Sequence, residues 1–560
     1  MKLSYLLPIT QETGVRLTDT SCALRYLRQT IDSVFKQSIP NWELVVIVER
    51  SLLNKVKPIL DEQTLKNSEL VSQISKQLKV IVSNSKNAAA ACNSGLEKAT
   101  GQFIAVIQAG DMLASHTSYE LLKCIAENSK AQFIYTDHDH IDLLGQRFKP
   151  FFKPDLSPDL LYCQNYINNL VLLRKTLLKK LGGWDTRFGS AYGYALNLNA
   201  IGNLIRLDRP NTKLLGKQSP IKHIPQILYH ERVKIKLDLR INKLIELKPN
   251  KIDEEKQSKQ GLALIKQFFK DQKRNATVTQ IKPKLYRHHW SIPKPDPLVS
   301  LIIPTRDGYD ILKTCVDSIL KKTTYKNYEI LIVDNQSSEP KALQYMQSLD
   351  KNYQNIRILK YNKPFNYSAI NNYAATQARG EVLGLINNDT EVITPNWLTE
   401  MVSHAIRPEI GAVGAMLYYP DGTIQHAGVV IGMHGVADHA FKGLKKSKQN
   451  DYFNYLSSIR NMKAVTAATL LIKKEKINEV QGFDEKNLPI EFNDVDICLK
   501  IFCRGYQIVW TPYSELHHHE SKSRKNNNFS NELNILESQF IKRKWLSDNQ
   551  YLDTINNKTY

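Results

Sequence analysis

"NYSAINNYAATQARGEVLGLINND", residues 366–389, is written twice in this chain. Its first 21 residues align without a gap on "NAAAACNSGLEKATGQFIAVI", residues 87–107, which lie 279 positions earlier. Each copy reads as a helix, a glycine stop (Gly101, Gly380) and a short apolar run suited to a buried strand. Upstream, "IDSVFKQSIPNWELVVIVERS" (31–51) matches "VDSILKKTTYKNYEILIVDNQS", with Trp42 and Glu43 facing Tyr328 and Glu329. A repeat this long means two duplicated domains, not a solenoid.

Each half opens on an apolar strand that ends at proline, "YLLP" (5–8) and "VSLIIP" (299–304). In the second half Ile311, Leu312, Cys315, Val316, Ile319 and Leu320 then form one helical stripe. "EILIVD" is a continuous apolar run, as a parallel strand buried on both faces requires. Strand, helix, strand, helix, strand predicts an α/β fold of two tandem doubly wound domains. The expected division is a first domain over 1–232, a helical and β linker over 233–297, a second domain over 298–525 and a polar tail over 526–560. In the linker, Leu262, Ile265, Phe268 and Phe269 stripe a basic helix.

At 560 residues the chain is too long for one core. Composition is that of a globular protein, and no apolar run nears the ~18 residues of a membrane span. "MKLSYLLPIT" is cut by Pro8 and lacks a cleavage site, so no signal peptide is expected. Seven cysteines without paired C-x-x-C spacing fit reduced thiols in a cytoplasm. The excess of 76 Lys and Arg over 55 Asp and Glu favours anionic partners. Nucleic acid is disfavoured, since no nucleic-acid-binding motif is present. Phosphate-bearing ligands and peripheral contact with the anionic inner face of a cell membrane fit better.

The chemistry gathers at strand ends in the second half. "PTRD" places Thr305 and Asp307 where the chain leaves the sheet, Asp334 closes "EILIVD", and "NND" (387–389) closes the repeated strand. "EFNDVDICLK" and "HHHE" (517–520) follow. Ligands dock at such strand ends in open α/β sheets, and clustered oxygen donors suit a hard cation carrying phosphates.

In order, "LVSLIIPTRD", "FNYSAINN", "LINNDTEVI", "YPDGTIQHAG", "GFDE", "FNDVDICLK" and "HHHES" resemble the family 2 glycosyltransferases of GT-A fold, specifically the double-domain type of bacterial O-antigen and surface-polysaccharide biosynthesis. Each motif alone is weak; their order over more than 200 residues is specific. The resemblance implies a nucleotide-binding set of Pro304, Thr305, Asp307, Asp334, Asn366, Asn387 and Asn388. It implies Asp389 and His518 as ligands of Mn²⁺ or Mg²⁺, with His519 a rival to His518, and Asp494 as general base. "NND" departs from the family's Asp-x-Asp by two amides, which weakens its negative charge. Asp389 also has a plain reading as a helix cap, and Asp494 one as a helix-start acid beside Glu491 and Asp496. His426 and His439 are read either as acceptor-pocket residues or as core histidines.

The first half lacks these groups. Val48 stands at the place of Asp334, with Glu49 one step off; Gln108, Ala109 and Gly110 replace 387–389, with Asp111 one position late; Tyr192 replaces the base. This half reads as a degenerate, non-catalytic copy. "YTDHDHID" (135–142) tempts a metal reading, but Asp137 and Asp139 alternate in direction with His138 and His140. A solvated strand end is expected there.

The expected function is metal-dependent, inverting transfer of a sugar from a UDP-, dTDP- or GDP-linked donor to a growing polysaccharide or lipid-linked glycan. The competing reading is a glycan-binding protein without catalysis, which predicts damage in both halves.

Overall fold

The computed structural model describes residues 1–12, 20–66, 77–205, 210–211, 219–233, 235–238, 243–246, 251–447, 451–519, 528–547 and 552–553. Two mixed sheets dominate it, and they have one strand order. In the first half the order is Leu78–Ser83, Trp42–Glu49, Leu3–Ile9, Phe103–Val106, Val171–Arg174, Phe133–Ile141, Ile221–Arg232, Met112–Leu113. In the second it is Ile356–Lys360, Tyr328–Asp334, Val299–Thr305, Val382–Ile386, Thr469–Lys473, Ile410–Tyr418, Gln507–His518, Thr390–Val392. The first four strands of each row are parallel, as the unbroken apolar runs require; the fifth pairs antiparallel on both sides, the sixth and seventh are parallel, and the eighth is antiparallel.

Alternate strand residues enter different cores. Leu301, Ile303, Ile330 and Ile332 pack on one face, and Ile302, Leu331 and Val333 on the other. That second core continues into Leu6, Val45 and Ile47 of the first half, so the two domains share apolar contact. Removing one such side chain, as in Ile332→Ala, costs about 2–5 kcal/mol.

The repeated glutamate and glycine have one structural cause. Ser300 Oγ donates to Glu329 (2.6 Å), the N–H of Gly380 donates to Ser300 Oγ (2.8 Å), and that of Arg379 to Glu329 (2.8 Å). Ser4, Glu43, Gly101 and Thr100 repeat the same bonds. A Cβ on Gly380 would sit 2.7 Å from the carbonyl oxygen of Leu298, so the close approach excludes any side chain.

Between the halves, helix Lys251–Asp271 buries Leu264, Ile265, Phe268 and Phe269, and a hairpin of Ala276–Lys282 and Leu285–Trp290 follows. A buried ionic network joins all three parts. Arg407 donates to Asp159 of the first half (2.6 Å) and to Glu409 (3.0 Å), and its guanidinium stacks 4.1 Å from the Trp290 ring centre. Asn461 adds a bond to Asp159 (2.8 Å), and Phe151 stacks on Phe453 at 3.7 Å.

The tail is more than polar chain. Helix Asn528–Ile541 runs on to Leu546, where Trp545 is buried. Six cysteines among the described residues are free thiols. Among these residues no helix is long and apolar enough to cross a membrane.

Candidate active site at the strand ends of the second half

Strand Val382–Ile386 runs into a turn closed by the N–H of Thr390 donating to the Asn387 carbonyl (3.2 Å). The short strand Thr390–Val392 then pairs antiparallel with the end of Gln507–His518, which sets Thr390 opposite His518. This register brings Asp389 to His518, with Oδ1 and Nε2 3.1 Å apart. Asn387 Nδ2 is 3.2 Å from the same imidazole nitrogen, and Gln425 Nε2 meets Nδ1 at 2.6 Å. His519 falls on the opposite face of the strand and meets Glu391 at 3.4 Å. Burial works against the Asp389 carboxylate, but His518 outweighs it and holds the pKa below the usual range. Asp389 caps nothing: the next helix, Trp397–Ala405, starts at Asn396 without a side-chain cap.

Asp494 sits in the first turn of Asn493–Cys503, after Phe492 in left-handed backbone. Its oxygens accept the N–H groups of Ala467 (3.1 Å) and Val495 (2.8 Å). Burial raises its pKa despite these bonds. Tyr367 ties this carboxylate's surroundings to the metal-type cluster, since its hydroxyl reaches both Asn387 Oδ1 (3.2 Å) and the Ala467 carbonyl (3.3 Å). The Asn387 N–H donates to the Ala468 carbonyl (3.0 Å). Asn387 and Asp494 therefore both bond the turn 466–468, and His518, with Asp389 beside it, joins them through Asn387.

The other predicted residues lie along the adjacent strand ends. Thr305 pairs with Asp334 in register and accepts Asn388 Nδ2 at 3.1 Å; Pro304 pairs with Val333. Burial disfavours charge on Asp334, yet bonds from Lys360 Nζ (2.7 Å) and the Ser337 N–H (2.9 Å) keep its pKa low. Asp307, at a φ of 54°, accepts the N–H groups of Ser338 and Glu339 and so ties two loops together. Asn366 caps helix Tyr367–Gln377 by accepting the Ala369 N–H (2.9 Å). Asn87 makes the same cap in the first half, from the Ala90 N–H, so this contact persists without the chemistry. His426 is buried, its Nδ1 2.9 Å from that of His439 and its Nε2 near the Thr466 N–H; burial lowers its pKa well below the usual range.

Sequence reasoning missed three participants. Gln425 stands inside a quoted motif, but only the fold shows that it meets His518. Tyr367 reads as an ordinary helix residue. The tail clamps the segment before Asp494: Glu537 accepts the N–H groups of Ile490 and Glu491, both at 2.9 Å, and Trp545 Nε1 donates to Asp496 (2.8 Å).

In the first half Gly110 fills the Asp389 position, and Asp111 turns away to Tyr229 (2.6 Å) and the Arg232 N–H (2.9 Å). Burial and the nearby Glu231 raise its pKa to about 8. Gln108 donates to the Tyr192 hydroxyl (3.0 Å) where the second half has Asn387 and Asp494. Glu49 accepts Gln11 N–H and Ser51 Oγ. The stretch 135–142 is not solvated as expected. Asp137, His138, Asp139 and His140 are all buried, because strand Ile221–Arg232 covers one edge and Arg147–Phe151 the other. At strands Phe103–Val106 and Val171–Arg174 a cavity of about 510 Å³ opens, lined in part by Gln108, Asn169, Trp184, Tyr192, Asn197 and Tyr286.

The sequence profile named glycosyl transferase family 2 matches twice, over residues 22–181 and 300–461. The chain belongs to this family. The two matches fall on the two halves, which are tandem GT-A-like domains. The chain is 36% identical over 528 residues to the uncharacterized protein y4gI of Sinorhizobium fredii, covering 93% of this chain and 54% of the relative. It is 34% identical over 503 residues to the O-antigen biosynthesis protein RfbC of Myxococcus xanthus, covering 89% of this chain and 36% of RfbC. The chain thus spans about half or less of these curated relatives. Among solved structures it is similar to GalNAc-T7 with UDP, GalNAc and Mn²⁺ (TM-score 0.38, 15% identity, 49% of this chain and 53% of that one). It is also similar to the mannosyltransferase PcManGT of Pyrobaculum calidifontis with GDP-Man and Mn²⁺ (TM-score 0.31, 16% identity, 42% and 61%).

Proposed function

We propose that the second half of this glycosyltransferase is a metal-dependent, inverting engine that moves a sugar from a nucleotide-linked donor to a surface glycan or its lipid-linked precursor. The observation that carries this reading is the Asp389–His518 pair, linked through Asn387 to the same strand-end turn that Asp494 bonds. The name of the Myxococcus relative supports a surface-polysaccharide acceptor.

The donor set fits a divalent cation. Asp389 Oδ1 and His518 Nε2 converge at 3.1 Å, and turning the Gln425 amide oxygen toward Nδ1 would fix the tautomer that leaves Nε2 its lone pair. One carboxylate and one imidazole are a sparse set, suited to Mn²⁺ or Mg²⁺ that shares its coordination with a diphosphate. When bound, such a cation stabilises the charge that develops on the departing nucleoside diphosphate. Thr305, Asn388 and Asp334 line the neighbouring strand ends, where the nucleoside docks. The carboxylate of Asp494 takes the proton of the acceptor hydroxyl while that oxygen attacks the anomeric carbon. The bond to the nucleoside diphosphate breaks on the opposite face, so the configuration inverts. A positioned base contributes roughly 10²–10⁴-fold, and the raised pKa of Asp494 brings its basicity closer to that task.

For the first half a second role has its own observation. The 510 Å³ cavity, lined by amides and aromatic rings and without the catalytic acid, suits a neutral glycan. The positive charge of the chain suits a peripheral place at the inner face of the cell membrane; vesicles containing anionic lipid should co-sediment with the protein at low salt.

The decisive test is release of nucleotide from a panel of UDP-, dTDP- and GDP-sugars with and without a glycan acceptor. Mn²⁺-dependent release that is abolished by EDTA and by Asp389→Ala supports the reading, and the product's anomeric configuration tests inversion. Failure of nucleotide and Mn²⁺ to bind by calorimetry would sink it in favour of glycan binding alone.

A further inference from the structure

The buried histidines of the first half remain without a task in this account. His138 and His140 stand two apart on strand Phe133–Ile141 and so face the same side. Strand Ile221–Arg232 runs parallel beside it and sets Glu231 opposite His140. One ligand-type atom from each of the three lies within 4.8 Å of the other two, and His138 Nε2 is 3.8 Å from Glu231 Oε2. The two imidazoles are 3% and 8% exposed. The Nδ1 atoms of both have no hydrogen-bond partner among the described residues.

The position sharpens the case. Leu113 pairs with Tyr229 as Val392 pairs with Leu516, and the N–H of Ala114 meets the Leu228 carbonyl as that of Ile393 meets Glu515. Counting on along the strand, Glu231 takes the place of His518. The first half has lost Asp389 to Gly110, but at the same strand it has gathered a different set of donors.

We propose that the first half holds a Zn²⁺ ion of its own, bound by His138, His140 and Glu231 with a fourth position left to water. Two imidazoles and one carboxylate are a zinc-type set, and they favour Zn²⁺ over the Mn²⁺ or Mg²⁺ suited to the oxygen-rich site of the second half. Lys153, the neighbouring cation, is committed to the carbonyls of Ile167 and Asn169, and burial lowers its pKa to about 7. Phe151 and Phe148 pack edge-on against His138 and His140 at 5.0 and 5.6 Å, which fixes the rings. The ion would staple the two strands where the second half uses its own histidine. A second cluster of Asp159, His288 and His404 is no competitor, because the Arg407 guanidinium already occupies Asp159.

The test uses full-length protein carrying Asp389→Ala and His518→Ala, so that the second half contributes no metal site. After stripping with EDTA, calorimetry with Zn²⁺ should show one tight equivalent per chain, and Zn²⁺ should raise the melting temperature. Glu231→Gln, at a half-buried position that tolerates the amide, should weaken this binding more than about tenfold. His140→Asn should do the same. Co²⁺ in place of Zn²⁺ should develop the visible bands of a four-coordinate site and lose them in Glu231→Gln. Absence of a stoichiometric tight site overturns the proposal. Binding that Glu231→Gln leaves unchanged also overturns it, since the ion would then be held by surface groups.

Discussion

The two halves share one eight-strand sheet order and carry different side chains where its strands end. In the second half, Asn387 and Asp494 bond the turn 466–468, and Asn387 meets His518, which meets Asp389. In the first, the same backbone carries Gln108, Gly110, Glu231 and Tyr192, and the surviving acid, Asp111, is bonded to Tyr229 and Arg232. Packing and chemistry are therefore separable: the Ser–Glu–Gly bonds that set the sheet spacing recur in both halves, while the strand-end residues do not. A domain can lose its reactive groups and keep its fold because those groups sit where the strands have already ended.

The largest expected effect tests which half is reactive. Asp494→Asn should lower the turnover rate by roughly 10²–10⁴-fold while nucleotide binding persists. Tyr192→Phe, at the matching place in the first half, should leave turnover within about twofold; an equal loss in both would erase the distinction between the halves. Next in size is the joint between them. Arg407→Leu strands buried Asp159 and should cost about 3–5 kcal/mol, read as a fall in denaturant midpoint. Burial disfavours the Asp159 carboxylate, but Arg407 and His288 hold its pKa below the unfolded value. This stabilisation is complete above the unfolded pKa and is lost as pH falls through the folded one, so the mutant should show a flatter acid-unfolding curve.

A smaller effect concerns the histidine that meets Asp389. Gln425→Leu should weaken Mn²⁺ binding about 10–100-fold without changing the fold, and unchanged affinity would remove Gln425 from the site. The mildest is a pH profile. Asp494 must be ionised to act, and burial raises its pKa, so activity should fall on the acid side around a midpoint above the ordinary aspartate value of 3.8. A midpoint at or below that value would mean that another group limits the rate.

Much of this was legible in the sequence, for a physical reason. A strand buried on both faces must be apolar throughout, as "EILIVD" is, and a helix stop beside a crowded strand must be glycine, as Gly101 and Gly380 are. The strand-end acids were visible because polar residues there interrupt the apolar pattern. What was hidden depends on register between distant segments. Nothing local tells that Gln425 meets His518, or that His518 rather than His519 faces Asp389, until strand Thr390–Val392 is paired. Burial of 135–142 was misread for the same reason, since the covering strand Ile221–Arg232 comes about 80 residues later. The tail looked merely polar because the residues that dock it, among them Glu537, Ile541, Trp545 and Asp553, are scattered along it.

The Asp159–Arg407 pair has a consequence for descent. Once a buried charge of one copy is held by a charge of the other, neither copy can be discarded in one step without cost. A gene that deletes the first half exposes Trp290 and takes Asp159 from the Arg407 guanidinium, leaving it Glu409. The duplication thus acts as a ratchet: the first half is free to change its strand ends, even to gather a new set of ligands, but it is not free to leave.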